Sequence, residues 1–312
     1  MSNNIVITSA IILCSALLIA QLIIYVMIKM RPDKDYQELV LRTRSWWWIV
    51  VLVETSLYFG KTSFIVLLGL VSFFAMREYL SRVHTRRSDR DTLFLLFLAI
   101  PMQFVLIYRG MFIEFLCFVP LYSMSVIVLA LLVSGPPRGF IMALGTAQIG
   151  LFSTVYSLGH FAYLGLSDDP NSNQIIAGNI LLPIFLTQIN DVFQYMCGKA
   201  FGKHKIMPQI SPKKTIEGFS GGLILTSSLA AVIAPYVTSL THLQGFVAGL
   251  TLASLGFLGD VLMSAIKRDL DIKDFSQLVP GHGGILDRID SLIIAVPIYF
   301  HLVRAFSNGW LS

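Results

Sequence analysis

Residues 5–28 read IVITSAIILCSALLIAQLIIYVMI, a run of twenty-four residues without a charge. About 20 apolar residues are enough for a helix to cross the ~30 Å hydrocarbon core of a bilayer. No basic segment precedes the run, and it is too long for the apolar centre of a signal peptide. Its positive charges, Lys29, Arg31 and Lys34, follow it. That order is expected of a retained spanning helix whose N-terminus lies outside.

Nine further apolar runs follow at 46–59, 62–80, 92–107, 112–133, 139–163, 175–197, 219–238, 243–264 and 291–309. Lysine and arginine, which were not used to draw these runs, test them. With the N-terminus outside, the inner loops are 29–45, 77–91, 134–138, 198–218 and 265–290. These loops hold 20 of the 23 basic residues, leaving Lys61, Arg109 and Arg304 on the outer side. The partition predicts an all-α polytopic membrane protein of about ten transmembrane helices, with both termini outside.

Composition agrees. Of 312 residues, 55% are hydrophobic and 13% charged, with a mean hydropathy of +0.73. A soluble domain carries about 25% charged residues, so a soluble enzyme, a disordered chain and a nucleic-acid-binding module are excluded. The net charge of +5 therefore reads as topology, with no nucleic acid implied as a partner. Cys14, Cys117 and Cys197 are odd in number and scattered through apolar runs, which predicts neither a disulfide framework nor a zinc site. No fixed-period repeat is present. The polar residues divide the chain into N-terminal transmembrane helices, 1–170, and a C-terminal transmembrane region, 171–312, which holds nearly every unusual polar group and the inner loops 198–218 and 265–290.

The densest polar stretch is 259–290, GDVLMSAIKRDLDIKDFSQLVPGHGGILDRID. Asp260 still lies in an apolar run, where a carboxylate is costly unless it binds something. Ser264, Lys267, Arg268, Lys273 and Asp274 follow, mixing both signs. Pro280-Gly281-His282-Gly283-Gly284 is a turn whose glycines allow close approach of backbone N–H groups to an anion. Asp287 and Asp290 then fall on one face of a helix, with Arg288 between them. Carboxylates at a helix start, beside lysines and a glycine turn, suit a hard divalent cation holding phosphate oxygens.

A second stretch begins with Asn190-Asp191 inside an apolar run and continues to Ser211-Pro212-Lys213-Lys214-Thr215-Ile216-Glu217-Gly218. Ser-Pro before an apolar run is a helix start signal. Lys213, Lys214 and Thr215 are therefore expected in a first helical turn, where cations are unfavourable unless an anion is bound. Asn190 and Asp191 suit the positioning of a ligand, a lysine or a second cation. His282 suits either a phosphate contact or a lock on the turn. His160 and Glu54 read as satisfied interior polar groups.

The pattern S-x-x-K-R-x4-K-D-x5-P-G-H-G-G-x-x-D-R-x-D, from Ser264 to Asp290, resembles the signature of phosphatidate cytidylyltransferases, the CDP-diacylglycerol synthases. The Asn-Asp helix, the S-P-K-K-T-x-E-G segment and Gly221-Gly222 resemble the same family in the same order. Arg77-Glu78-Tyr79 resembles it more loosely. Val192 and Gln194 depart from it, standing where the family usually has Thr and Ala, and 5–28 precedes the part that resembles it. The resemblance implies a helical membrane fold, often dimeric, with a cytosol-facing polar cavity. It also implies transfer of CMP from CTP to phosphatidate, at the inner face of the cytoplasmic membrane.

The metal-binding aspartates of that family match Asp260 and Asp287, and Mg2+ with K+ as a second cation is the implied pair. Asp290 is a third candidate ligand. Lys213, Lys267 and Arg268, which would offset phosphate charge, join the metal-binding Asp260 and Asp287 as candidate catalytic residues. Ser211, Lys214, Thr215, Asn190, Asp191, Ser264, Lys273, Asp274, Gly281, His282, Gly283, Gly284 and Arg288 are the candidate substrate-binding set. The competing expectations are a cytidylyltransferase or CTP-dependent kinase acting on another membrane lipid, and an ion-coupled transporter. A transporter would favour broken helices in two repeated halves, and no such symmetry is visible in the sequence.

Overall fold

The computed structural model describes residues 4–30, 36–84, 86, 90–134, 137–166, 173–278 and 283–311. Its helices, in chain order, begin with α1 (Asn4–Met30), α2 (Gln37–Tyr58), α3 (Lys61–Arg82) and α4 (Arg90–Tyr108). Helix α5 (Phe112–Cys117) runs through a π-helical stretch, Phe118–Ser123, into α6 (Met124–Ser134). Helix α7 (Phe140–Leu151) likewise runs through Phe152–Tyr156 into α8 (Ser157–Leu164). Then come α9 (Asn173–Phe201), strands β1 (Lys205–Met207) and β2 (Ser211–Thr215), α10 (Ile216–Val237), α11 (His242–Asp269) and α12 (Leu286–Ser307).

Counting the two π-joined pairs as single rods, the described residues form ten rods. Eight helical segments are long and apolar enough to cross a membrane, and Thr92–Tyr108 is apolar but shorter. Helix α2, whose sequence carries Glu38, Arg42, Arg44 and Glu54, is not among the eight. The protein is an all-α polytopic membrane protein. The π-helical stretches have local causes. Pro120 lacks an N–H and would clash with the preceding turn of a regular helix. In the other, the Ser157 hydroxyl donates to the Phe152 carbonyl at 2.8 Å and the Ile293 carbonyl at 2.5 Å, tying the widened turn to α12.

Several helices outrun the apolar segments that announced them. Helix α2 starts at Gln37 rather than 46, α11 continues to Asp269 rather than 264, and α12 starts at Leu286 rather than 291. Hydropathy ends where side chains meet water, whereas the backbone hydrogen-bond ladder continues for as long as the turns can be closed. The extra turns carry Lys267, Arg268, Asp287, Arg288 and Asp290, which thereby sit on rigid helix ends.

Small residues let α9, α10, α11 and α12 pack closely, as in other membrane bundles. Gly259 of α11 lies directly against the Asp290 carbonyl of α12, where no side chain would fit. Between α9, α10 and α11, the Asn190 amide donates to the Ala253 carbonyl and accepts from the Thr226 hydroxyl, both at 3.2 Å. A second apolar cluster, with Ala75, Tyr79, Met263, Phe275, Leu286 and Ile293, joins the C-terminal end of α3 to α11 and α12. These contacts bring the C-terminal ends of α3, α9 and α11 and the N-terminal ends of α10 and α12 to one end of the bundle.

Candidate active site

Asp287, on the first turn of α12, organises the return from α11. Its Oδ1 accepts from Lys267 Nζ at 2.8 Å, and its Oδ2 accepts from the backbone N–H groups of Phe275 and Gly284, each at 3.0 Å. The ion pair is buried. A carboxylate on the first turn also meets the positive end of the helix dipole. Three of the roughly four acceptor positions of a carboxylate are thus in use, leaving about one for a further ligand. Gly283 adopts φ +84°, a left-handed conformation that favours glycine, and brings its backbone against this carboxylate.

The turn is held from outside by a residue the sequence reading passed over. Glu78, buried at the end of α3, accepts from the Ser276 hydroxyl at 2.6 Å and the Ile285 N–H at 2.9 Å on one oxygen. Its other oxygen accepts from the Leu286 N–H at 3.0 Å. It therefore caps α12 across two hundred residues of sequence. A Cβ on Gly284 would fall 2.6 Å from Glu78 Oε2, so only glycine admits this approach. Arg82, one turn on, donates through Nε to the Phe275 carbonyl at 2.6 Å. The Arg77-Glu78-Tyr79 resemblance was the one available signal. The Gly284, Ile285 and Leu286 N–H groups are all taken by carboxylates, so this helix start does not offer them to a phosphate.

The second stretch folds differently from expectation. Ser211–Thr215 is an antiparallel partner of Lys205–Met207, and α10 begins only at Ile216. Thr215 is the N-cap: its hydroxyl accepts from the Gly218 N–H at 3.1 Å. Strand alternation then sets the two lysines apart. Lys213 is exposed, whereas Lys214 Nζ lies 2.5 Å from Asp260 Oδ2 and 4.4 Å from the centre of the Phe257 ring. The expected first-turn site for Lys213, Lys214 and Thr215 is therefore corrected to a strand and a cap. Pro212 fits such a short edge, since Pro cannot donate to a ladder. Glu217 closes the hairpin by accepting from the Lys203 and His204 N–H groups and contacting the His204 ring at 2.6 Å.

Asp260 faces Lys214 on one oxygen and accepts from the Ser264 hydroxyl at 3.3 Å on the other. Around it lie Asp191 and Asp290, each within electrostatic range of Asp260 and of the other, with Lys214, Lys267 and Arg288 among them. Asp290 Oδ1 accepts from the Ser291 N–H at 2.7 Å. Arg288 Nε is buried and finds no acceptor among the described residues. Of the other candidates, Arg268, Lys273 and Asp274 are exposed and Ser211 is half-buried. Asn190 spends its amide on helix packing, as described above. Gly281 and His282 lie outside the described residues.

Carboxylate oxygens are the right donors for Mg2+, which is commonly held by one or two carboxylates and completed by substrate phosphates. The described residues contain no group of three His, Cys, Asp or Glu side chains placed to hold a metal ion by themselves. The donor set fits a cation that arrives with a polyphosphate, and does not form an all-protein cage. Chemically, the site offers three cationic side chains, among them Arg288 with a buried Nε that has no acceptor, around carboxylates at the edge of an apolar bundle.

Residues 40–306 match the Cytidylyltransferase family. The chain is 38% identical over 297 residues to the uncharacterized protein YnbB of Escherichia coli (strain K12), covering 94% of this chain and 96% of that one. It is 43% identical over 126 residues to the phosphatidate cytidylyltransferase of Aquifex aeolicus (strain VF5), covering 40% of this chain and 47% of that protein. With the phosphatidate cytidylyltransferase of Bacillus subtilis (strain 168) the identity is 42% over 114 residues, covering 36% and 42%. The alignments with these two named relatives thus span less than half of their length.

Proposed function

The chain belongs to the cytidylyltransferase family, and from that premise we propose that this CTP-dependent nucleotidyltransferase transfers CMP from CTP to phosphatidate. A phosphate oxygen of phosphatidate forms a bond to the α-phosphorus of CTP. The bond from that phosphorus to the β-phosphate bridging oxygen breaks, and pyrophosphate leaves with the electron pair. The products are CDP-diacylglycerol and pyrophosphate. The nucleophile is already an anion, so the work lies in bringing two highly charged groups together and in line.

The observation that carries this reading is the buried Arg288 Nε without an acceptor, with Lys214 in range of the same Asp191 and Lys267 in range of Asp290. A buried unpaired donor on a cation is costly, and an incoming phosphate oxygen would satisfy it. Lys214 would exchange Asp260 for a phosphate when CTP binds, and Ser264 would keep Asp260 oriented. Lys267 would hold Asp287 in place. Mg2+, with K+ as a second cation, would be held by Asp260 and Asp287, with Asp290 as a further ligand. When bound, such cations neutralise triphosphate charge and favour departure of pyrophosphate. The basic loops at this end of the bundle favour a cytosolic orientation in the cytoplasmic membrane, where CTP is available.

A second acceptor is favoured by one observation. Similarity along nearly the whole chain is to YnbB, while the similarity to named phosphatidate cytidylyltransferases is partial. The same transfer to a different membrane lipid phosphate would need only a different lipid contact. Purified protein incubated with CTP labelled in its α-phosphate, Mg2+ and a panel of lipid phosphates decides this. The expected result is label in CDP-diacylglycerol with release of unlabelled pyrophosphate. Label in the nucleotide-linked form of another lipid would move the acceptor, and no labelled lipid with any member would overturn the reading.

A further inference from the structure

A cavity of about 110 Å3 lies between the C-terminal end of α3 and the first turns of α4 and α7, at the same end of the bundle as the candidate site. A single water needs only about 10–15 Å3, so the cavity takes a group of several heavy atoms. None of the candidate site residues lines it, and among the described residues no aspartate or glutamate does. Its ionisable lining is His84 and Arg86, just past α3. Arg86 Nη1 donates to the Arg138 carbonyl at 2.6 Å and the Arg86 stem lies against Gly139, which holds the guanidinium at the cavity. Gly139 is the N-cap of α7, at φ +81°, and no side chain caps that helix start. The positive ends of two helix dipoles, those of α4 and α7, thus meet one guanidinium there. Thr92, in the first turn of α4, is an independent indication of a ligand. It lines the cavity, is 1% exposed, and its hydroxyl has no hydrogen-bond partner among the described residues. A buried hydroxyl left unpaired is costly, and an acceptor oxygen in the cavity would satisfy it.

We propose that this cavity binds the headgroup phosphate of an anionic membrane lipid, at a site separate from the Lys214–Arg288 cluster. Its leaflet follows from the orientation proposed above, which places this end of the bundle at the cytosolic face. Basic pockets between helices suit anionic headgroups on that side, where the lipid surface itself is negative. The rest of the lining, including Leu93 of α4, Leu131 of α6 and Ala147 of α7, is apolar. A phosphate joined to glycerol and the first methylenes of a chain matches both kinds of wall, whereas an inorganic anion matches one. The Tyr79 hydroxyl donates to the Thr146 carbonyl at 3.0 Å, and Thr146 also lines the cavity. The α7 wall is therefore tied to the turn of α3 that carries Glu78, and a lipid seated here braces the helix end that caps α12.

The test uses full-length protein in proteoliposomes and two photoreactive lipids, a phosphatidylglycerol and a phosphatidylcholine, each with a diazirine near the glycerol end of one chain. Phosphatidylglycerol is expected to label the cavity-lining parts of α4 and α7 about fivefold more than phosphatidylcholine does. Arg86→Gln removes the charge, and Thr92→Val removes only the hydroxyl at nearly constant size. Each should bring the preference close to parity, while Lys214→Gln leaves it intact. Thr92→Val keeps the test decisive if Arg86→Gln fails to insert. In mixed micelles, phosphatidylglycerol should also raise Tm above its value in phosphatidylcholine for the parent protein and not for Thr92→Val. Equal labelling by the two lipids, a preference that survives Thr92→Val, or one that is lost in Lys214→Gln would overturn the site. Displacement of the labelled lipid by millimolar inorganic phosphate would assign the cavity to a soluble anion and overturn the lipid as its occupant. None of these measurements needs turnover, so the site stands or falls apart from the proposed reaction.

Discussion

A strand turns successive side chains to opposite sides, and on β2 this sends Lys213 to solvent and Lys214 to Asp260. Lys214→Gln is expected to lower kcat/KM with CTP by at least about tenfold, while Lys213→Gln changes it by no more than an exposed substitution does. Steady-state kinetics on the two variants checks this, and equal kinetics would remove Lys214 from the site. The two aspartates separate in the same way. Asp260 is about a quarter exposed (24%) and paired with a partly exposed lysine, so Asp260→Asn should insert and unfold much like the parent while activity falls by orders of magnitude. Asp287 is 3% exposed and satisfies Lys267 and two backbone groups. Asp287→Asn should therefore also destabilise the protein, by about 3 kcal/mol, because a buried lysine loses its partner. Thermal unfolding in detergent beside the activity assay distinguishes the two.

The ends of α11 and α12 are held together by α3, an element from the other half of the chain. Glu78→Gln keeps the shape of the side chain but turns an amide N–H toward the Leu286 N–H, or leaves one donor unmatched. Loss of a hydrogen bond to a buried charged group costs about 1.5–3 kcal/mol. Gly284→Ala drives a methyl group toward the same carboxylate and is expected to have a similar effect, and the pair should be non-additive because both disrupt one contact. Thermal unfolding of the two single variants and the double variant gives the coupling, and simple addition would mean that Glu78 does not hold this turn. At the start of α10, Thr215→Ala removes a cap and should cost about 1 kcal/mol, without a specific effect on CTP binding.

For the whole molecule, the orientation argument makes opposite demands on opposite ends of the bundle. Gln209, in the hairpin, and Lys273, after α11, sit at the end that gathers Lys214, Asp260 and Glu78, while Phe59, between α2 and α3, and Asn308, the C-cap of α12, sit at the other end. Single cysteines at 209 and 273, in a protein whose three native cysteines have been replaced, are expected to react with an impermeant maleimide only after permeabilisation. Cysteines at 59 and 308 are expected to react in intact cells. External labelling at 209 would put the catalytic end away from the CTP pool and remove the basis for the proposed orientation.

The amino-acid sequence by itself determined that this chain lives in a membrane, roughly where its helices lie, and which two loops gather its unusual polar groups. Each of these is a local property. A run such as 5–28 must shield its own backbone in lipid, and a helix is the only way for a single segment to do so. Clustered charges in such a chain are too costly to be incidental. Only the tertiary structure decided which of those charges face one another. Lys213 and Lys214 are equivalent as sequence and differ through the pairing of β2 with β1. Asp260 and Asp287 are both carboxylates in one signature, yet one meets Lys214 and the other is nearly spent on Lys267 and the turn. Glu78, the cap of α12, lies 208 residues from the Leu286 N–H it accepts, and no periodicity or spacing rule reaches that far. Long-range polar contacts depend on how close the helices come, and that distance is set by glycines such as Gly259 and Gly284 meeting partners whose identity a linear reading does not contain.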